Sequence, residues 1–421
     1  MNTSTGATTD SRRLYVLLML LAVYTLNFLD RQILSILAIP VKADLGLSDT
    51  QLGLLGGTAF ALFYSTLGIP VALLADRYSR TRIMMYALLL WSVMTAACGM
   101  AQGFWQLFMA RLGVGIGESG GVAPAHSLIA DYFPSHQRAR ALAVYSFGVP
   151  IGIALSMLLG GAVSTATDWR YAFIIVGLAG VIVAPIFRFT VAEPPRGRYD
   201  ASAALPPARL KQIWATLAGK RSYWLVGLGA VAASVVGYGI IFWLPSLVTR
   251  SYGLELLDTA FFMAALFLIG GTAGLWLGGM LVDRYGRNNR AVYALLPAAA
   301  FALSAPLYAV GIMAPSAGIA FVVLLLPTGL GLAWLGPVLA AVQHLVRADM
   351  RVTAAAILIF KVNLVGLGLG TAVLGALSDA LTVRFGDNGL RYALLASLLL
   401  YFVAAILMWR GARYLADDWQ E

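Results

Sequence analysis

The sequence predicts an all-α membrane protein: twelve transmembrane helices in two pseudo-symmetric six-helix bundles, with both termini cytoplasmic. Three observations predict it. The 421 residues are 60% hydrophobic and only 11% charged, where a soluble domain carries about 25% charged residues. Twelve apolar runs are long enough to cross a bilayer, which takes about 20 residues. A charged motif recurs about half a chain length apart. No soluble fold of this size hides so much apolar surface, so the bilayer is part of the solvent.

The twelve runs cover about 14–39, 50–75, 82–102, 105–132, 139–165, 169–190, 222–249, 259–282, 290–312, 317–344, 353–380 and 391–413. The first is not a cleaved signal. It is longer than a signal core, it contains Asp30-Arg31, and no small-residue cleavage site follows it. With the N-terminus inside, 21 of the 29 Lys and Arg fall in cytoplasmic loops and five in outer loops. The remaining three, Arg31, Arg111 and Lys361, lie within spans. This bias puts both termini in the cytoplasm. It also accounts for the net charge of +10 as a topology signal, so no nucleic-acid partner is needed.

The longest internal break, 193–221, opens with Glu193-Pro194-Pro195 and splits the spans six and six. The expected units are a bundle at 1–192, a cytoplasmic linker at 193–221 and a bundle at 222–421. Within the linker, Leu210, Ile213, Trp214 and Leu217 recur at helical spacing among basic residues. That pattern predicts a short helix on the inner leaflet.

Several chemistries are excluded. A single cysteine, Cys98, rules out a disulfide framework. His126, His136 and His344 are too scattered for a metal site. There is no nucleotide-binding, G-x-S-x-G or H-E-x-x-H motif, so neither ATP-driven work nor intramembrane enzymology is expected, and no cofactor.

The repeat reads Ala72-Leu-Leu-Ala-Asp76-Arg77-Tyr78-Ser79-Arg80 after span 2 and Gly279-Met-Leu-Val-Asp283-Arg284-Tyr285-Gly286-Arg287 after span 8. Two related six-helix halves with a substrate path between them is a transporter plan. The motif resembles the G-x-L-x-D-R-x-G-R loop of the major facilitator superfamily. The second copy matches throughout, and the first has Ala72 and Ser79 in place of glycines. The resemblance implies the major facilitator fold and a cytoplasmic gate. Asp76 is expected to face Arg351 and the positive end of span 11. Arg80 is expected to reach Asp131, and Asp283 to face Arg138. Such pairs break and reform cheaply.

Ionisable residues inside a span are costly and functional by default. Span 1 holds Asn27, Asp30 and Arg31; span 4 holds Arg111, Glu118 and His126; span 11 holds Lys361. At about 1.5 Å per residue, Asp30 lies about 24 Å up span 1 and Arg111 about 9 Å down span 4. In a core of roughly 30 Å the two meet in depth. Glu118, two turns below Arg111 on the same face, lies near the midplane. Low dielectric favours a protonated carboxyl and a nearby guanidinium favours an ionised one, so Asp30, Glu118 and Arg111 suit proton coupling. Arg31 follows Asp30 by 100° and points elsewhere. It either contacts an anionic substrate group in forked geometry or neutralises Asp30 or Glu118.

A closer resemblance rests on Tyr24-Thr-Leu-Asn27-Phe-Leu-Asp30-Arg31 and on Gly115-Ile-Gly117-Glu118, followed by Ala123-Pro124. Both look like the Spinster subfamily, which includes exporters of lysolipids and sphingosine phosphate. The resemblance implies an amphipathic, lipid-like substrate with an anionic or zwitterionic head, and maps Arg31 and Glu118 onto family motifs. Phe60 and Tyr64 in span 2, Tyr238 and Trp243 in span 7, Trp334 in span 10 and Lys361 in span 11 suit a roomy apolar path. The expectation is a monomeric, proton-coupled secondary carrier in the cell (inner) membrane, with membrane lipids around it. A carrier of drugs or small organic anions, or a receptor that keeps the fold without transport, are the alternatives.

Overall fold

The computed structural model describes residues 4–199, 210–286, 288–347 and 350–420. These are almost entirely helical, with no strand among the described residues. Ten stretches are long and apolar enough to cross a membrane: Ser11–Ile36, Asp49–Arg77, Arg80–Cys98, His136–Ala166, Trp169–Thr190, Arg221–Tyr252, Leu256–Tyr285, Val292–Ile312, Ala317–His344 and Thr353–Ala412. The last is two spans, because glycines at Gly386 and Gly389 turn the chain between Gly368–Phe385 and Gly389–Ser397. Span 4 is missing from these ten because it is broken into Phe104–Glu118 and Val122–Tyr132. The twelve spans read from the sequence are therefore all helical.

The break in span 4 has a local cause. Pro124 has no N–H to give to the carbonyl of Gly120, and its ring crowds that carbonyl. The backbone tightens through Gly120 N to Gly117 O and Gly121 N to Glu118 O, both 3.1 Å. Glu118 thus ends a helical segment in mid-span. Pro40 acts similarly after span 1, which stops at Ile36 before a short helix, Ala38–Leu45. Spans 2, 8 and 11 each contain one wide π-helical turn, at Leu54–Thr58, Phe267–Gly271 and Val362–Leu367.

Two compact units emerge from the packing. One holds Met1–Leu45 and Ala59–Ala204; the other holds Gly46–Thr58 and Leu205–Glu421. In the first, span 1 packs on span 5, span 3 on spans 4 and 6, and span 2 on span 4. In the second, span 7 packs on span 12, and span 9 on spans 10 and 12. Its core includes Phe301 stacked on Tyr401, with centroids 5.3 Å apart. The linker helix forms at Leu210–Ala218 and buries Ile213 and Leu217, while Lys211 stays exposed. An apolar groove of about 450 Å³ lies among spans 8, 9 and 10, floored by Gly274 and Gly278; none of the residues singled out above lines it.

Candidate functional site

The first unit concentrates its charge in one buried cluster. Asn27, Asp30 and Arg31 come from span 1, Phe60 and Tyr64 from span 2, and Arg111 and Glu118 from span 4. Asp30 and Arg111 are each 1% exposed, and Glu118 is fully buried. Span 4 reaches this depth against span 3 because Gly117 carries no side chain; a Cβ there would lie 2.5 Å from the Trp91 amide nitrogen.

Arg31 is the hub. Its Nη2 donates to Glu118 Oε2 at 2.7 Å and to Asn27 Oδ1 at 3.2 Å, and its Nε donates to the same glutamate oxygen at 3.2 Å. Three rings enclose the guanidinium, with centroids 4.8 Å (Phe28), 4.7 Å (Phe60) and 4.6 Å (Tyr64) away. Delocalised, weakly hydrated charge suits such stacking. Arg111 lies against span 1, where its Nη1 and Nη2 donate to the backbone carbonyls of Asp30 (3.2 Å) and Arg31 (3.4 Å). Glu118, one of the partners the sequence left open for Arg31, is ion-paired with it at 2.7 Å.

Several polar atoms here lack a hydrogen-bond partner among the described residues: Asp30 Oδ1, Glu118 Oε1 and Asn27 Nδ2. So do Trp91 Nε1 and Thr95 Oγ1, which adjoin the Asp30 carboxylate from span 3. A cavity of about 10 Å³ lies beside Asn27 and Trp91, walled by Tyr24 and Tyr145. Phe28, Trp91 and Thr95 were not singled out in the sequence. Phe28 carried a signal, since it lies three residues before Arg31 on the same helix; the other two had none.

The second unit places its predicted residues differently. Tyr238 OH donates to Asn363 Oδ1 at 3.0 Å, a partner in the π-turn of span 11 that sequence reading missed. Trp243 is fully buried and donates Nε1 to the Thr371 carbonyl at 2.9 Å, which fixes span 7 to span 11. Trp334 is 8% exposed and packs near Phe301. Lys361 is taken up by the linker helix region. Its Nζ lies over the rings of Trp224 (4.2 Å), Tyr223 (4.7 Å) and Trp214 (5.2 Å), and donates to Tyr223 OH at 3.2 Å.

At the motif end of the first unit, Arg80 is 1% exposed and ion-paired with Asp131. Its Nε donates to Glu193 Oε1 at 2.7 Å and its Nη2 to Pro194 O at 3.0 Å. Glu193 also accepts from Ser79 Oγ (2.8 Å) and the Thr81 amide (3.0 Å). Burial works against its charge, but the Thr81 amide, Arg80 and Ser79 outweigh it and hold the carboxyl below its ordinary range. Arg196 Nη2 donates to Ala75 O at 2.7 Å, so the start of the linker is strapped to the ends of spans 2, 3 and 4. Asp76, Arg77, Asp283 and Arg284 are exposed. Arg138 donates to the Phe133 carbonyl. Arg351 is half-buried, with its Nε lacking a hydrogen-bond partner among the described residues. Arg287 lies outside the described residues.

Comparison with known proteins agrees with this architecture. The major facilitator superfamily model matches residues 20–365. An MFS-type efflux pump of Mycolicibacterium smegmatis is 32% identical over 94% of this chain and 92% of its own length. Human protein spinster homolog 1 is also 32% identical, over 54% of this chain and 44% of its own; the chain spans under half of that relative. The crystal structure of a bacterial homolog to the human lysosomal transporter Spinster, inward-facing and unoccupied, superposes with a TM-score of 0.88. It is 31% identical and covers 97% of this chain and 99% of that one. The chain is therefore a multi-pass membrane transporter rather than an enzyme, and it belongs to the major facilitator superfamily, with a Spinster-like fold.

Proposed function

We propose that this protein is a proton-coupled secondary carrier that works by alternating access, with both termini cytoplasmic, in the cell's inner membrane. Its substrate is an amphipathic molecule with an anionic or zwitterionic head, of the lysophospholipid or sphingoid kind. One observation carries the proton reading: Asp30 and Glu118 are buried within the bilayer span, and each keeps one carboxyl oxygen without a hydrogen-bond partner. A carboxyl that gains a proton needs such an oxygen to receive it. The cavity beside Asn27 and Trp91 has room for one water, a route for that proton. When Glu118 is protonated its claim on Arg31 weakens, and the guanidinium is free to take a headgroup anion in forked geometry. Protonation and substrate binding then favour each other through one arginine, which links both to conformation.

Arg80, Asp131 and Arg138, with the exposed Asp76, Arg77, Asp283 and Arg284 and the half-buried Arg351, serve the cytoplasmic gate. Tyr238 and Asn363 are a hydrogen-bonded neutral pair of the second unit that serves the substrate. The protein works as a monomer. The near full-length likeness to an efflux pump favours a second reading, in which the cargo is a drug or small organic anion and the machinery is unchanged.

Flux across a pH gradient in proteoliposomes tests both parts. Wild type should move lysolipid with a pH-dependent rate, and Glu118→Gln and Asp30→Asn should flatten that dependence. Unchanged pH dependence in both variants sinks the proton switch. Movement of short-chain anions with failure of lysolipids sinks the lipid reading.

A further inference from the structure

Three aromatic side chains of the second unit converge on one ammonium. Trp214 comes from the linker helix, Tyr223 and Trp224 from the start of span 7, and the ammonium is Lys361 Nζ of span 11. The ring centroids lie 5.2, 4.7 and 4.2 Å from it. The rings stand edge to face: Trp224 meets Tyr223 at 76° and Trp214 at 88°. Two walls of this box are fixed. Tyr223 is 1% exposed, and Trp224 Nε1 donates to the Ala218 carbonyl at 3.3 Å. The third wall, Trp214, is 45% exposed and rides on a nine-residue helix.

Lys361 matches the box poorly. Its ammonium carries three donors and is strongly hydrated. Tyr223 OH accepts one donor, at 3.2 Å. Among the described residues no carboxylate pairs with the ammonium. The other two donors trade water for ring faces that accept them only weakly. A quaternary ammonium has no N–H to satisfy, so the same rings take it at lower cost; aromatic enclosure is how such heads are recognised.

Two features point to the source of such a head. Trp224 lies three residues into span 7, at the headgroup level, where Trp and Tyr collect. Lys211 is exposed and lies three residues before Trp214, on the same helix face. A phosphate joined to the quaternary ammonium meets that charge. We propose that Trp214, Tyr223 and Trp224 are a binding site for quaternary ammonium heads of the phosphocholine kind, with Lys361 as a built-in occupant that such a head displaces. The site stands apart from the proton switch of the first unit. A head that enters it ends the tie between Lys361 and the linker helix.

Fluorine resonance on the full chain in maltoside micelles tests the site. The protein carries fluorotryptophan, and the Trp224 signal is identified by its loss in Trp224→Phe. Tetramethylammonium, against sodium at equal ionic strength, should move that signal saturably. Lys361→Met should tighten the binding about two- to fivefold, the worth of exposed cation–π contacts. Trp214→Leu should weaken it by a similar factor. Lysophosphatidylcholine should move the signal where lysophosphatidylglycerol with the same tail does not, which makes the source a lipid head. A response to tetramethylammonium alone makes it a free cation at the same site. The site is overturned if neither probe does more than its control, or if folded Lys361→Met and Trp214→Leu both bind as wild type does. If Lys361→Met does not fold, Trp214→Leu, which alters only an exposed ring, decides alone.

Discussion

The two units share a repeat but not a chemistry. Each has a motif loop after its second span and a π-turn in that span. Inside the spans they diverge. The first unit buries Asp30, Arg31, Arg111 and Glu118 together. The second offers a neutral pair, Tyr238 and Asn363, while Lys361 in span 11 is drawn to the linker helix side. In the proposed cycle, repetition supplies the common frame and proton coupling draws on one charged half. A buried ion pair is a poor source of stability compared with apolar packing. Keeping four such groups in one unit is the asymmetry on which the proposed proton coupling rests.

The contrast predicts unequal responses to mutation. Arg31→Ala should have the largest effect, because it strands Glu118 in the bilayer core. Breaking a buried pair costs about 3–5 kcal/mol. Arg31→Gln combined with Glu118→Gln should recover much of the lost thermal stability while transport stays abolished. A double variant less stable than either single would show that the pair contributes more to folding than to function. In the second unit, Tyr238→Phe should cost about 1 kcal/mol, the worth of one hydrogen bond, and change flux without moving its pH profile. A shifted profile would give the second half a share in coupling.

Lys361→Met should have a smaller effect, about 0.5–1 kcal/mol for exposed cation–π contacts. It should loosen the helix Leu210–Ala218, read as faster hydrogen exchange there and nowhere in span 1. Glu193→Gln should be smallest. Its carboxyl is held below the ordinary range, so its stabilisation is present above the unfolded value of about 4.3 and is lost as pH falls through the lower folded value. The group is partly exposed, so the effect is under about 1 kcal/mol. Melting curves of wild type and variant should differ near neutral pH and converge only once pH falls below the lowered folded value; a constant difference would exclude the ionised carboxylate as the cause.

Depth along a helix is readable from sequence, and azimuth is not. Counting residues put Asp30 beside Arg111 and Glu118 two turns deeper, and the folded chain has them clustered. Which arginine takes Glu118 depends on how spans 1 and 4 are rotated. Gly117 and the break at Pro124 set that rotation through contact with Trp91. Lys361 shows the same limit, because its position in span 11 says nothing of the rings around it.

The ring enclosure of Arg31 has a consequence that needs no membrane to observe. Phe28, Phe60 and Tyr64 enclose the guanidinium, so in the proposed switch Glu118 and a headgroup anion are alternative partners for one donor. Reciprocity then holds: the factor by which protonation tightens substrate binding equals the factor by which substrate tightens proton binding. Adding substrate to detergent-solubilised protein in weak buffer should draw protons from solution, and the uptake should vanish in Glu118→Gln. The proposed coupling is then a titration volume, measurable with no gradient and no turnover.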